Sequence, residues 1–209
     1  MSETNEPKIL VLFYSIYGHI LQMAKSVRKG IKDAGGNAKF MMVEELTPEK
    51  YLNEKAKEIK KKTKDIPIAD PRKDLKGIDG IIIGTPTRYG NMCAQMRNFW
   101  DQTGADWAKG TLVGKPAGVF TGTGTQHGGQ ETTIITVMIT LLHHGLVLVG
   151  TPYTNTELME IKQVQGGTPY GPSTIAGPKG NKYPNENELK LAFNLGKRVT
   201  TIAQKLKQT

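Results

Sequence analysis

The sequence predicts an α/β domain, a doubly wound five-stranded parallel sheet with helices on both faces. Three observations predict it. Short apolar runs without alternation recur along the chain, the mark of strands covered on both sides. Segments of helical spacing separate those runs. No internal repeat or composition break divides the 209 residues. Residues 1–209 therefore read as one domain, with 1–7 a flexible N-terminus and 8–207 folded.

The elements follow in order. Ile9–Tyr14 (ILVLFY), Gly80–Gly84 (GIIIG) and Leu146–Val149 (LVLV) read as buried strands. Ala38–Val43 and Ala117–Phe120 are weaker strands of the same kind. A first helix starts at Ile20, repeats its apolar face at Ala24, Val27, Ile31 and Ala34, and stops at Gly35-Gly36. Asn91–Gln102 reads as a second helix. Thr132–His144 is apolar nearly all round and is expected to be buried. A last helix follows Pro184 and Asn185, and its stripe includes Leu189, Ala192, Phe193, Val199, Ile202, Ala203 and Leu206. Pro48–Lys62 reads as an extra helix. The Gly- and Pro-rich stretch 166–184 is too long for an ordinary connection and is either functional or mobile.

Composition narrows the function. The chain carries a net charge of +9 and a single cysteine. One thiol excludes an intramolecular disulfide framework and fits a reducing compartment, so a cytoplasmic protein is expected. No apolar run is long enough for a membrane span, and residues 1–7 lack a signal-peptide layout. Much of the positive charge lies in Lys55, Lys57, Lys60, Lys61, Lys62 and Lys64. Glu54 and Glu58 are interleaved there at helical spacing, which reads as a solvated helix face. Aromatic residues for stacking nucleic-acid bases are absent from that stretch apart from Tyr51 at its start.

In a parallel sheet of this kind ligands bind beyond the carboxyl ends of the strands. The residues that follow three strands there are loop-like and polar. Ser15-Ile16-Tyr17-Gly18-His19-Ile20 leads into a helix, whose N-terminal N–H groups and dipole suit a phosphate. A simple N-cap with a tight turn reads equally well. Thr85-Pro86-Thr87-Arg88-Tyr89-Gly90-Asn91-Met92 offers backbone donors, a cation and an aromatic ring. Thr121-Gly122-Thr123-Gly124-Thr125-Gln126-His127-Gly128-Gly129 is rich in accessible backbone. His127 breaks the strict G-x-G-x-x-G pattern, and the loop follows the wrong strand for a dinucleotide fingerprint. Together the three loops make a site for a planar ring carrying a phosphate. The adjacent His143 and His144 face different directions on a helix and lack metal-ligand spacing. One is expected to point toward the carboxyl ends of the strands. No metal is expected. Trp100 reads as core. Trp107, taken to follow a helix end at Gly104, is either at the pocket mouth or a surface anchor.

SIYGHI at 15–20, GTPTRYGNM at 84–92, QMRNFWDQTG at 95–104, GQE at 129–131, HHG at 143–145 and GGTPYGPSTIAG at 166–177 together resemble the WrbA family of NAD(P)H:quinone oxidoreductases. The resemblance covers nearly the whole chain. It implies a flavodoxin-like fold, bound FMN, NAD(P)H as co-substrate and a homotetramer. It implies that Ser15, Ile16, Tyr17, Gly18, His19 and Ile20 hold the phosphate. Thr87, Arg88 and Tyr89 then match the first ring-binding loop, and Thr123, Gly124 and Thr125 the second; Pro86, Gly90, Asn91, Thr121, Gly122 and Gln126 in the same loops are expected to bind the cofactor with them. His144 matches a catalytic histidine at the flavin, Tyr17 a nicotinamide contact and Trp107 a substrate contact. Gly122, Gln126 and His127 depart from the family pattern.

The function expected is FMN-dependent, two-electron, ping-pong reduction of quinones by NAD(P)H. One alternative is a flavodoxin-type one-electron carrier, although such carriers are typically acidic. A regulatory protein associated with nucleic acid is another, but no helix-turn-helix or basic-aromatic groove supports it.

Overall fold

The computed structural model describes residues 6–207. Six strands form one parallel sheet: β1 (Lys8–Phe13), β2 (Asn37–Met42), β3 (Gly80–Pro86), β4 (Pro116–Thr123), β5 (Val147–Leu148) and β6 (Ser173–Ile175). Their order is β2-β1-β3-β4-β5, with β6 also on β4. β1 pairs with β2 on one side (Val11 opposite Phe40) and with β3 on the other (Val11 opposite Ile82). The strand order thus reverses at β1, and a crevice opens beyond Phe13.

Alternation along β1 builds two cores. Leu10, Leu12 and Tyr14 join one cluster with Ile81, Ile83, Val119, Met96, Trp100, Ile134 and Val137. This core is roofed by α3 (Ala94–Asp101) and α5 (Gln130–His143). Ile9, Val11 and Phe13 join the other cluster with Ile82, Phe120, Met23, Val27, Leu195 and Val199. Here α1 (His19–Asp33) and α6 (Glu186–Lys207) form the roof. These two helices meet backbone to backbone: a Cβ on Gly30 would lie 1.9 Å from the Phe193 carbonyl oxygen, and one on Gly196 would lie 2.2 Å from that of Val27. Any side chain at either glycine would force the helices apart.

Several expectations are corrected. The fifth strand is filled in two pieces. Val147 and Leu148 pair with Pro116 and Ala117, and the chain then leaves the sheet. It returns at Ser173–Ile175, further along the same edge of β4, opposite Thr121–Thr123. Hence, among the described residues, six strand segments fill the five expected sheet positions, and part of the 166–184 stretch is sheet. The second helix begins at Ala94, because Arg88 and Asn91 bond each other in a tight hairpin (N···O 2.7 and 3.0 Å). Gly104 starts α4 (Gly104–Ala108) and does not end a helix. The 48–62 region splits into a 3-10 turn at Glu49–Tyr51 and α2 (Glu54–Lys62), capped by the Asn53 side chain at 3.0 Å from the Ala56 amide. Finally, α5 is not buried all round, since Ile135, Ile139 and Leu142 are exposed on one face. Most of the expected flexible segment 1–7 lies outside the described residues. Pro7 is buried, and its carbonyl accepts from the Asn37 amide at 2.9 Å.

Candidate active site

The crevice beyond β1 and β3 is a cleft of about 410 Å³, within the usual range for small-molecule sites. Its walls are Ser15, Ile16, Tyr17, His19 and Ile20 after β1, Pro86, Thr87 and Arg88 at the end of β3, and Gly122, Thr123 and Gly124 at the end of β4. Asn53 and Lys55 of the α2 start and residues 176–180 after β6 complete it.

At the first loop, Gly18 is the N-cap of α1 with φ +90°, a conformation that L side chains rarely adopt. Ser15 Oγ accepts from the Leu21 amide at 3.0 Å. The hydroxyl thus serves the helix start, as the simple N-cap alternative has it. The amides of His19 and Ile20 lie in the first turn, where a helix supplies no acceptor. His19 is 8% exposed, stacks on Tyr183 at 5.0 Å, and its Nε2 has no hydrogen-bond partner among the described residues. Burial lowers the His19 pKa below the ordinary histidine value, and the nearby Lys55 charge lowers it further.

The second loop is pinned from below. The Thr87 amide donates to the Gly122 carbonyl at 3.0 Å. The Thr133 hydroxyl donates to Thr87 Oγ1 at 2.7 Å, and the Thr136 hydroxyl to the Gly90 carbonyl at 3.1 Å. Both threonines come from α5, so the ring loop rests on a helix. Lys55, Lys179 and Arg88 line the cleft and no carboxylate does. The arrangement suits an anion at the 15–20 end and a flat heterocycle between the 86–88 and 122–124 backbones.

Residues 7–157 match the family model described as NADPH-dependent FMN reductase. The chain belongs to that family. It is 49% identical over 201 residues to the NAD(P)H dehydrogenase (quinone) of Aromatoleum aromaticum, covering 95% of this chain and 97% of that one. The relative of the same description from Geobacter metallireducens is 50% identical, with 96% and 99% covered. Among solved structures, a flavodoxin, WrbA-like protein from Agrobacterium tumefaciens superposes with a TM-score of 0.65 at 22% identity, covering 96% and 99% of the two chains. Flavodoxin 1 from Bacillus cereus gives 0.57 at 15% identity, with 97% and 99% covered. The fold is therefore flavodoxin-like.

The residues present fit the FMN of this reductase family. Loop 15–20 presents the first-turn amides of α1 for the phosphate. The glycine backbone at 122 and 124 lets a flat ring approach.

Not every residue expected from the sequence reaches the cleft. Thr121 is fully buried in β4, with its hydroxyl on the Thr85 carbonyl at 2.7 Å. Tyr89, Gly90 and Asn91 form the hairpin tip, and Tyr89 is completely exposed with φ +54°. Gly18 packs against Ile59 of α2. The carbonyls of Thr125 and Gln126 accept from Thr123 and Gln130, and Gln126 lines a separate surface depression. The expectation that His144 or His143 points toward the carboxyl ends is corrected. α5 runs antiparallel to the strands, so His144 ends it level with the start of β4, where the Gly145 carbonyl accepts from the Gly114 amide at 2.9 Å. That is roughly 23 Å from the cleft, at about 3.3 Å per residue of β4. His144 packs on Trp100 and bonds Thr103. Trp107, exposed on α4, lies at the same remote end.

Sequence reasoning missed Asn53, Lys55 and residues 176–180 as walls. The only signal was the patternless 166–184 stretch. The lysine-rich segment hid Lys55 among surface neighbours. Among the described residues no group of three or more His, Cys, Asp or Glu is placed to hold a metal ion.

Proposed function

We propose that this chain is an FMN-dependent NAD(P)H:quinone oxidoreductase that reduces quinones by two electrons in a ping-pong sequence. The observation that carries this reading is the cleft at the β1/β3 switch point, with an anion end at 15–20 and a backbone-lined end at 86–88 and 122–124. Relatives at 47–50% identity over nearly the full length carry the name NAD(P)H dehydrogenase (quinone). Bound FMN supplies the hydride chemistry, taking hydride from NAD(P)H and passing it to a quinone.

The chain's own residues do the rest. Loop 15–20 holds the phosphate, and the 87–88 and 123–124 backbones hold the ring edge. Arg88 brings positive charge to the broad end of the cleft, where arriving electrons add negative charge. Tyr17 lines the cleft as a stacking surface for the nicotinamide ring. Because one slot serves both substrates, the first product leaves before the second substrate enters.

We further read the working form as a homotetramer in the cytoplasm. The exposed stripe Ile135, Ile139 and Leu142 on α5, together with exposed Val113, Val147 and Trp107, supports self-association. His144 and Trp107 then serve the cleft of a neighbouring copy, because their own is at the far end of the sheet. Among the described residues no helix is long and apolar enough to cross a membrane.

Steady-state kinetics with NADH and benzoquinone test the reading. Parallel double-reciprocal lines are expected. Intersecting lines would sink the shared slot.

A further inference from the structure

The lysines of α2 divide by partner. Lys57, Lys60 and Lys62 pair with Glu54, Glu49 and Glu58 at 2.8, 2.9 and 2.6 Å. Lys55 has no carboxylate partner among the described residues. Its ammonium turns into the cleft and donates to the Gly180 carbonyl. It lies 5.8 Å from the centre of the Tyr17 ring and 5.4 Å from that of Tyr183. Tyr183 in turn stacks on His19. The rest of α2's start also leans on the same loop. Asn53 Nδ2 donates to the Tyr17 hydroxyl at 3.4 Å, and a Cβ on Gly18 would lie 3.0 Å from Ile59.

This local arrangement is incomplete in itself. An ammonium has three donors, and Gly180 uses one. Beside it the buried His19 Nε2 is unpartnered. A half-buried ammonium with two donors left over, in a cleft whose walls carry no carboxylate, is suited to an arriving anion.

We infer that Lys55 is a direct charge contact for the 5′-phosphate of the flavin nucleotide. Lys55 also ties the 177–183 strap across the phosphate through Gly180. The assignment rests on the FMN reading given above. A phosphate monoester also occurs as the 2′-phosphate of NADPH. The flavin phosphate is the one assigned, because Lys55 stands over Tyr17 and His19, within the loop whose first-turn amides are free.

The test is cofactor affinity. Full-length protein is equilibrated with FMN or with riboflavin, which lacks the phosphate, and flavin fluorescence quenching gives each Kd. Lys55→Met is expected to weaken FMN binding about 10- to 100-fold, the usual worth of a charged hydrogen bond. Riboflavin binding should change less than about threefold on the same grounds. Lys55→Arg should keep most of the FMN affinity, and Lys57→Met, on the outer face of the same helix, should change neither ligand. Equal weakening of FMN and riboflavin by Lys55→Met would mean a structural role and overturn the assignment. Unchanged FMN affinity with a raised KM for NADPH but not NADH would overturn it too, by moving Lys55 to the nicotinamide nucleotide. Wild-type protein that binds riboflavin as tightly as FMN would reject the phosphate contact while leaving a flavin site. Wild type that binds neither would end the flavin reading itself, and the Lys55 assignment with it.

Discussion

His144 shows how one side chain's hydrogen bonds set its protonation. The Thr103 hydroxyl donates to the Trp100 carbonyl at 2.6 Å, so Thr103 Oγ1 accepts from His144 Nε2–H at 3.1 Å. That leaves Nδ1 unprotonated, buried and without a partner. Burial holds the His144 pKa below the ordinary value, and the opposing pull of Asp106 is smaller. His19 is shifted the same way. The sign follows from proton counting. Below about pH 6.5 the unfolded chain takes up protons on these two residues while the folded chain resists, so stability present above that pH is lost as pH falls. Thermal melts of FMN-free protein from pH 7.5 to 5 should show a declining Tm, with each histidine contributing at most about 1.4 kcal/mol per pH unit. His144→Gln should flatten that decline, and a variant with the wild-type slope would exclude His144 as a titrating group. Tyr89 is the complementary case. It sits at φ +54°, fully exposed, in a two-residue hairpin with Gly90, where asparagine or glycine would be less strained.

Among the elements, the split fifth strand has the largest consequence for the site. The returning piece, β6, delivers residues 176–180 to the cleft wall, and one buried carboxylate holds it there. Asn185 and Glu188 form a capping box at the start of α6: the Asn185 amide donates to Glu188 Oε2 at 3.0 Å and the Glu188 amide to Asn185 Oδ1 at 2.9 Å. The same carboxylate accepts from the Gly166 amide at 2.7 Å and from the Thr174 hydroxyl at 2.8 Å. A helix cap is thus also the anchor of the strand that carries the wall. Glu188→Gln retains one acceptor oxygen and introduces an NH₂ where only acceptors fit. It should cost about 2–3 kcal/mol, since charged hydrogen bonds to buried amides are lost. Urea melts would measure this, and faster amide exchange at Gly166 and Ile175 should accompany it. An unchanged midpoint would refute the anchoring role.

At the scale of the molecule, the surface has two distinct characters. On the lysine-rich α2 face, Lys57, Lys60 and Lys62 are paired with Glu54, Glu49 and Glu58. The α5 face instead exposes Ile135, Ile139 and Leu142 to solvent in the single chain. Such a stripe is what a closed assembly would cover. Ile139→Lys should therefore shift the sedimentation coefficient toward the monomer and abolish most quinone reduction, yet leave FMN bound, because the cleft residues all belong to one chain. Persistence of the full assembly in this variant would move the interface elsewhere.

The sheet, its two roofs and the three cleft loops were legible in the sequence, because strand burial and helical periodicity are local patterns. The runs around Ile9–Phe13 and Ile81–Ile83 read as strands covered on both faces, and the loops after such strands meet at the strand ends. The overall function was legible through motifs such as GTPTRYGNM. Local pattern could not place side chains whose direction depends on an element's polarity in space. Nothing local to His144 or Trp107 says which end of the sheet it occupies. Their distance from the cleft arises only because α5 runs back along the sheet and α4 begins where a helix end was expected. Lys55 is one lysine in a run of six, and only the packing of α2 against loop 15–20 turns it inward. Residues 176–180 join the wall through a pairing between β4 and β6, a contact across about fifty residues that no window along the chain contains.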